Sequence, residues 1–70
     1  MYEPIVKQVF SLNGRRAWLY LADMTIGTLY IVQHEVMDEM NIVDDYIGWH
    51  VEKAEAAFHK ITTRMLRGRE

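Results

Sequence analysis

Three histidines are the first candidates for chemistry in this chain. His34 lies four residues before Asp38, and His59 lies four residues after Glu55, so each pair would share one face of a helix. A metal site needs three or four converging ligands, and the spacing indicates no third ligand for either pair. The chain contains no cysteine, which excludes disulfides, thiolate zinc sites and thiol chemistry. We therefore expect no bound metal and no cofactor.

Groups suited to acid–base or nucleophilic catalysis occur, but their arrangement does not favour it. Asp44 and Asp45 are neighbouring carboxylates, and their position near a predicted helix start is explained by the helix dipole. Ser11 is the only serine, and no motif places a histidine where it would activate the hydroxyl. The four glycines form no phosphate-binding loop. We predict that the chain is not an enzyme and has no catalytic residues.

Basic side chains are candidates for contact with nucleic acid or an acidic protein. The net charge of −2 divides into +2 over residues 1–22, −7 over 23–55 and +3 over 56–70. The acidic middle and a pI of about 5.9 oppose nucleic-acid binding, because a basic face is its usual footprint. A dimeric nucleic-acid-binding transcription regulator stays open as the alternative function. Its candidate contacts are Arg15, Arg16, Lys60, Arg64 and Arg67.

The elements that must position these side chains begin with a β-hairpin over about residues 5–22. Asn13-Gly14 favours a two-residue type I′ turn, because both positions of that turn need positive φ. Counting outward from this turn produces one almost wholly apolar face, which we assign to the core. It pairs Leu12 with Arg15, Phe10 with Ala17, Gln8 with Leu19 and Val6 with Leu21. The opposite face mixes Ile5, Val9, Trp18 and Tyr20 with Lys7, Ser11 and Arg16.

Residues 25–33 fit either a strand or a helix. Their β-branched and aromatic content favours a third strand. Leu29, Val32, Val36 and Met40 also follow a helical spacing. Gly27 disfavours a helix interior by about 1 kcal/mol relative to alanine, and we prefer the strand.

Apolar residues recur every three or four positions from residue 36 onward, which predicts helical structure over 36–66 and its main part over 44–66. Asn41, or Asp44 with Asp45, can cap a new helix inside this stretch, and Gly68 is a candidate C-terminal stop. The stripe consists of Val36, Met40, Val43, Ile47, Val51, Ala54, Phe58, Ile61 and Met65. The predicted fold class is therefore α+β: an N-terminal antiparallel hairpin, a third strand, and a long C-terminal amphipathic helix, unbroken or broken near Asn41. A ββαα arrangement is the alternative.

The apolar surface left over by this fold predicts protein binding. A helix of about 30 residues would be about 45 Å long, whereas an eight-residue strand reaches about 27 Å. One sheet cannot cover such a stripe, so we expect a homodimer. The predicted dimer interface is Val43, Ile47, Val51, Phe58, Ile61 and Met65. Aromatic residues are enriched in binding hot spots, and the predicted partner-binding residues are Trp18, Tyr20, Ile42, Tyr46 and Trp49.

We interpret the chain as a single small α+β domain over residues 1–70 that binds another protein. An apolar fraction of 50% is typical of a folded protein, and no apolar run approaches the roughly 18 residues that cross a bilayer. The first residues do not resemble a signal peptide, which favours a cytoplasmic protein with no membrane contact. We expect a regulator or inhibitor of a host or cellular protein, of the kind that phages and mobile elements encode.

Overall fold

The computed structural model describes residues 3–36 and 41–68, which form a four-stranded antiparallel sheet followed by one helix. The strands lie in the sheet in the order in which they follow along the chain. The elements are β1 (Ile5–Leu12), β2 (Arg15–Met24), β3 (Gly27–Glu35), β4 (Ile42–Gly48) and α1 (Val51–Leu66). The predicted α+β class, with its hairpin, third strand and C-terminal helix, is confirmed.

The hairpin of β1 and β2 closes through the predicted turn. Asn13 has φ 54° and Gly14 has φ 80°, and a type I′ turn requires positive values at both positions. The predicted register holds from this turn back to the pair of Gln8 and Leu19. The turn therefore determines which hairpin side chains face the core.

A β-bulge at Lys7 shifts the register of the remaining part of β1. Beyond it, Val6 pairs with Tyr20 and Ile5 pairs with Leu21. The predicted pairing of Val6 with Leu21 is wrong, because an extra residue in one strand moves every following side chain to the other face.

Residues 42–48 form strand β4, where the apolar spacing predicted a helix. A bulge at Asp45 disturbs the alternation of this strand. Val43 and Tyr46 therefore point to the same face although they are three residues apart, a spacing that imitates a helix. Ile47, which was placed on one helical stripe with Val43, faces the opposite side of the sheet. Met40 lies outside the described residues.

The helix begins at residue 51 and not within 36–44. Its 16 residues span about 24 Å, less than the roughly 34 Å of the ten-residue strand β2. The overhang that predicted a dimer on this helix is thus absent. Gly68, with φ 73°, donates its N–H to the Met65 carbonyl at 3.1 Å, and the predicted C-terminal stop is confirmed.

The core lies between α1 and one face of the sheet, which we call the helix face. Leu19 and Val32 are its largest fully buried side chains. The core cluster consists of Ala17, Leu19, Val32, Ala54, Ile61 and Met65, with Phe10, Leu12, Tyr30, Tyr46, Ala57 and Phe58 packed around it. Within residues 3–36 and 41–68, no helix or strand packs against the opposite side of the sheet, which we call the open face.

Candidate protein interface

A row of apolar side chains crosses the open face from one edge of the sheet to the other. Because Leu19 is buried under α1, the alternation of the strand directs its neighbours Trp18 and Tyr20 to the open face. Pairing then extends the row across all four strands through Val6, Tyr20, Ile31 and Ile47. The side chains at the two ends of the row are about half exposed. A contiguous exposed apolar surface makes this row the candidate interaction site.

Three side chains of β2 stack along the centre of the open face. The rings of Trp18 and Tyr20 are nearly parallel, with centroids 6.2 Å apart and planes inclined by 26°. The Arg16 guanidinium lies 5.1 Å from the Trp18 ring centre, a cation–π contact. All three side chains are thus held in place by neighbours, and an ordered aromatic pair loses little conformational entropy when it binds a partner.

A row of paired polar groups borders the apolar row at one end of the open face. The Arg16 guanidinium donates to Glu35 through Nη2 to Oε2 at 3.0 Å and Nε to Oε1 at 3.2 Å, and the Arg16 backbone N–H donates to Oε1 at 2.8 Å. Gln33 Nε2 donates to Asp44 Oδ1 at 2.7 Å. These groups bind one another across neighbouring strands, so the polar row is ordered before any partner arrives.

The charge state of the polar row follows from these contacts. The side-chain hydrogen bond from Arg16 lowers the pKa of Glu35 below its usual value, although burial opposes this shift. The same hydrogen bond raises the pKa of Arg16. Both groups are therefore charged at neutral pH. Arg15 also donates from Nη2 to the Glu35 backbone carbonyl at 3.1 Å, so acceptors on Glu35 hold both arginines that were predicted to contact nucleic acid.

Both edge strands carry features that oppose pairing with another strand. On β1, Pro4 precedes the strand and Lys7 lies in a bulge, with its Nζ 3.5 Å from Glu55 on α1. On β4, Asp45 lies in a bulge next to the charged Asp44. Bulges, proline and charged side chains are the common means by which natural sheets avoid edge-to-edge association. These features disfavour strand pairing at either edge, which leaves the open face as the candidate interface of the sheet.

The histidine–carboxylate pair of this structure differs from the predicted one. His34 is 4% exposed, and its Nδ1 lies 2.7 Å from Asp45 Oδ2. Asp38, its predicted neighbour on a helix, lies outside the described residues, and His34 belongs to a strand. In the described part of the chain, no group of three or more His, Cys, Asp or Glu residues is placed to hold a metal. The pair joins β3 to the bulge of β4.

The basic side chains of α1 line a separate surface. Lys60, Arg64 and Arg67 border an open groove of about 390 Å³ together with His59 and Thr63. This groove lies on the helix side of the sheet, whereas Arg16 points to the open face. Arg16 therefore does not share a surface with the basic side chains of α1.

The predicted partner-binding residues divide between the two faces. Trp18, Tyr20 and Ile42 share the open face. Tyr46 does not, because the bulge of β4 turns it toward the core, where it packs beneath α1. Trp49 follows β4, is about half exposed, and lies near Gly27 at the turn between β2 and β3.

The residues of the predicted dimer interface also lie on different surfaces. Ile61 and Met65 are core residues and Phe58 packs against them, so their own sheet covers these side chains. Val51 is half-buried, and Val43 is exposed on the helix face. Only Ile47, which is 56% exposed, lies on the open face.

Sequence reasoning missed two members of the apolar row on the open face, Ile31 and Val6. The alternation of β3 around the buried Val32 was a usable signal for Ile31. No signal in the sequence placed Val6 there, because its face depends on the bulge at Lys7.

Comparisons of the chain with protein-family models, with curated proteins and with solved structures found no match. Within residues 3–36 and 41–68, no helix is long and apolar enough to cross a membrane.

Proposed function

We propose that this chain is a non-enzymatic protein-binding module whose binding surface is the open face of the sheet. The observation that carries the proposal is the apolar row from Val6 to Ile47, which includes Tyr20 stacked on Trp18. Large aromatic side chains near the centre of an apolar surface are typical of binding hot spots. The module acts by docking on a protein and modulating it, as a cytoplasmic regulator or inhibitor.

The charges of the open face also favour a protein over nucleic acid as the partner. Among the described residues, Arg16 is its basic side chain, and Glu35 and Asp44 are its acidic ones. Nucleic acid requires an excess of basic groups to neutralise phosphates, and this surface does not provide one. An apolar protein surface is the complement of the row through Tyr20 and Ile31.

Site-specific photo-crosslinking in native cells tests this proposal. A photoreactive amino acid replaces Ile47 on the open face, or Ile26 in the turn between β2 and β3 as the matched control. Ile26 is the more exposed of the two, at 82% against 56%, so accessibility alone favours the control. We expect nuclease-resistant crosslinks to protein from position 47 and not from position 26. Crosslinks to nucleic acid, or equal yields from both positions, would contradict the proposal.

Truncation of the aromatic anchor provides the matching affinity measurement. Trp18→Ala should weaken binding of the crosslinked protein by about thirtyfold, as expected for a hot-spot aromatic. Trp49→Ala, at the margin of the sheet, should reduce the binding affinity by a smaller factor. Circular dichroism checks that both variants remain folded. A larger loss for Trp49→Ala would move the binding surface to the turn between β2 and β3.

The groove on α1 supports the second candidate function, a dimeric nucleic-acid-binding regulator. Lys60, Arg64 and Arg67 lie together along this groove, and such a cluster suits phosphate groups. The test is the salt dependence of binding to a DNA duplex, compared between the native chain and Lys60→Glu. A steep salt dependence that the variant reduces supports this function, and binding that is absent at low salt excludes it.

A further inference from the structure

We propose that the protein bound by the open face is a second copy of this chain, and that the two sheets pack face to face about a twofold axis running along the strands between β2 and β3. This inference rests on the proposed function, because it requires the open face to be a protein interface. It names the partner and predicts which side chains meet.

The small core of the single chain is the first argument for a second copy. Among the described residues, seven apolar side chains are buried. Three of these seven are alanines: Ala17, Ala22 and Ala54. A domain of this size without disulfides usually gains stability from a metal or from oligomerisation. A second copy is present wherever the chain is made, so it is always available to cover the open face.

The size of the open face is the second argument. Four strands about 4.8 Å apart and about seven residues long cover about 19 by 24 Å, or about 450 Å² per copy in projection. Because the side chains project from the sheet, the accessible area that each copy removes from solvent is larger than this projected area. Two such faces together therefore approach the roughly 1,000 Å² that a specific interface needs. Sheets that pack with nearly aligned strands, about 10 Å apart, form the core of β-sandwiches.

Charge complementarity is the third argument, and it selects the symmetry. Arg16 and Glu35 lie on the two central strands, on either side of the midline of the sheet. A twofold axis along this midline places β2 over β3 of the second copy. Arg16 then meets Glu35 of the second copy, and Glu35 meets its Arg16, so the four charges alternate in sign.

The same axis also matches the apolar row to itself. Tyr20 pairs with Ile31 within the sheet, and after the rotation it lies over Ile31 of the second copy. Val6, at one edge, lies over Ile47 from the opposite edge. The dimer is thus a sandwich with α1 on each outer layer, and it leaves both basic grooves exposed.

The mass of the purified full chain in solution tests this inference. Light scattering or sedimentation from low to high micromolar concentration should give twice the chain mass of 8.3 kDa. Ile47→Lys should raise the dimer dissociation constant by at least about tenfold, because it places a charge in the apolar row. Leu66→Lys, the same change at the exposed end of α1 in the outer layer, should leave the dimer intact. A wild-type monomer throughout this range overturns the inference without reference to any variant.

A charge exchange distinguishes self-association from binding to a different protein. Arg16→Glu should weaken the dimer by about tenfold, since two clusters of like charge then meet. The double change Arg16→Glu with Glu35→Arg restores alternating signs in both copies at once and should recover the dimer. A different partner protein would keep its own charges, so the double change would not restore its binding to this chain. Failure of the double change to recover the dimer overturns the proposed axis.

Mixing experiments complete the test. Exchanged chains should pair with one another and avoid native chains, because a mixed dimer places like charges opposite each other. Free mixing of native and exchanged chains contradicts the proposed contacts. If the native chain is monomeric but crosslinks from position 47 to another protein in cells, the second copy is wrong and the proposed function stands. If it is monomeric and does not crosslink, both are wrong.

Discussion

The ring of Tyr46 lies directly beneath Gly48, so that a Cβ at position 48 would stand 2.5 Å from the Tyr46 hydroxyl oxygen and 2.8 Å from Cζ. The same hydroxyl oxygen accepts the backbone N–H of His50 at 3.2 Å. His50 is the N-cap residue of α1, and its own side chain forms no capping hydrogen bond. Tyr46 therefore ties the end of β4 to the start of the helix, and only glycine leaves room for its ring.

Gly48→Ala should lower the free energy of unfolding by about 1–3 kcal/mol, because the added methyl overpacks the site. The backbone of Gly48 is not in the positive-φ region, so the cost is steric. Urea denaturation measures it. The same change in a Tyr46→Leu background should cost much less, since the aromatic ring is then absent. Equal costs in the two backgrounds would show that the ring is not the obstacle.

Gly14→Val tests the turn of the hairpin and should cost about 1 kcal/mol or more. A Cβ at this position would meet no heavy atom within 4 Å, so the cost comes from the left-handed backbone, at φ 80°. Gly14→Asn is the matched control and should cost less, because asparagine tolerates this conformation. Thermal melts compare the two variants. An unchanged melting temperature for the valine variant would disprove this account of the turn.

The neighbouring residues Asp44 and Asp45 should differ in their importance for stability. Asp45 contacts the buried His34, with its own side chain only 20% exposed, and Asp45→Ala should cost about 1–2 kcal/mol. Asp44 forms an exposed hydrogen bond with Gln33, and Asp44→Ala should cost less than about 0.5 kcal/mol. Urea denaturation of both variants checks this order. The reverse order would mean that the contact with His34 adds little to stability.

The parts of the fold that were predicted correctly depend on local signals. Asn13-Gly14 specifies its turn through backbone conformation alone, and pairing near the turn follows by counting. Gly68 ends the helix for a similar local reason. The faces of Trp18 and Tyr20 follow from alternation within a strand that contains no bulge.

The parts that were missed depend on two bulges, which no local pattern in the sequence marked. Val43 and Ile47 have a helical spacing, so periodicity extended the helix too far, although β4 with its bulge at Asp45 directs these two side chains to opposite faces of the sheet. The bulge at Lys7 exchanges the faces of Ile5 and Val6. Pairing with a neighbouring strand determines a bulge, and that information is not contained in the spacing of the bulged segment.

The ion pair of Arg16 and Glu35 should make stability depend on pH in the acidic range. Because Arg16 lowers the pKa of Glu35 below the ordinary value of 4.5, the ionised carboxylate stabilises the folded state. This contribution is fully present above pH 4.5 and is lost as the pH falls through the lower pKa of the folded state. The difference in free energy of unfolding between the native chain and Glu35→Gln should therefore be constant near neutral pH and shrink in acid.

Removal of the arginine identifies the source of this pH dependence. In an Arg16→Met background, the pKa of Glu35 should return toward its ordinary value, since the side-chain hydrogen bond from Arg16 is the largest cause of the shift. Glu35→Gln should then change stability by an amount that varies little with pH. Denaturation midpoints of the four chains between about pH 7 and pH 3 measure both differences. If the Glu35→Gln difference shrinks in acid to the same extent with and without Arg16, the guanidinium is not what holds the carboxylate in its charged form.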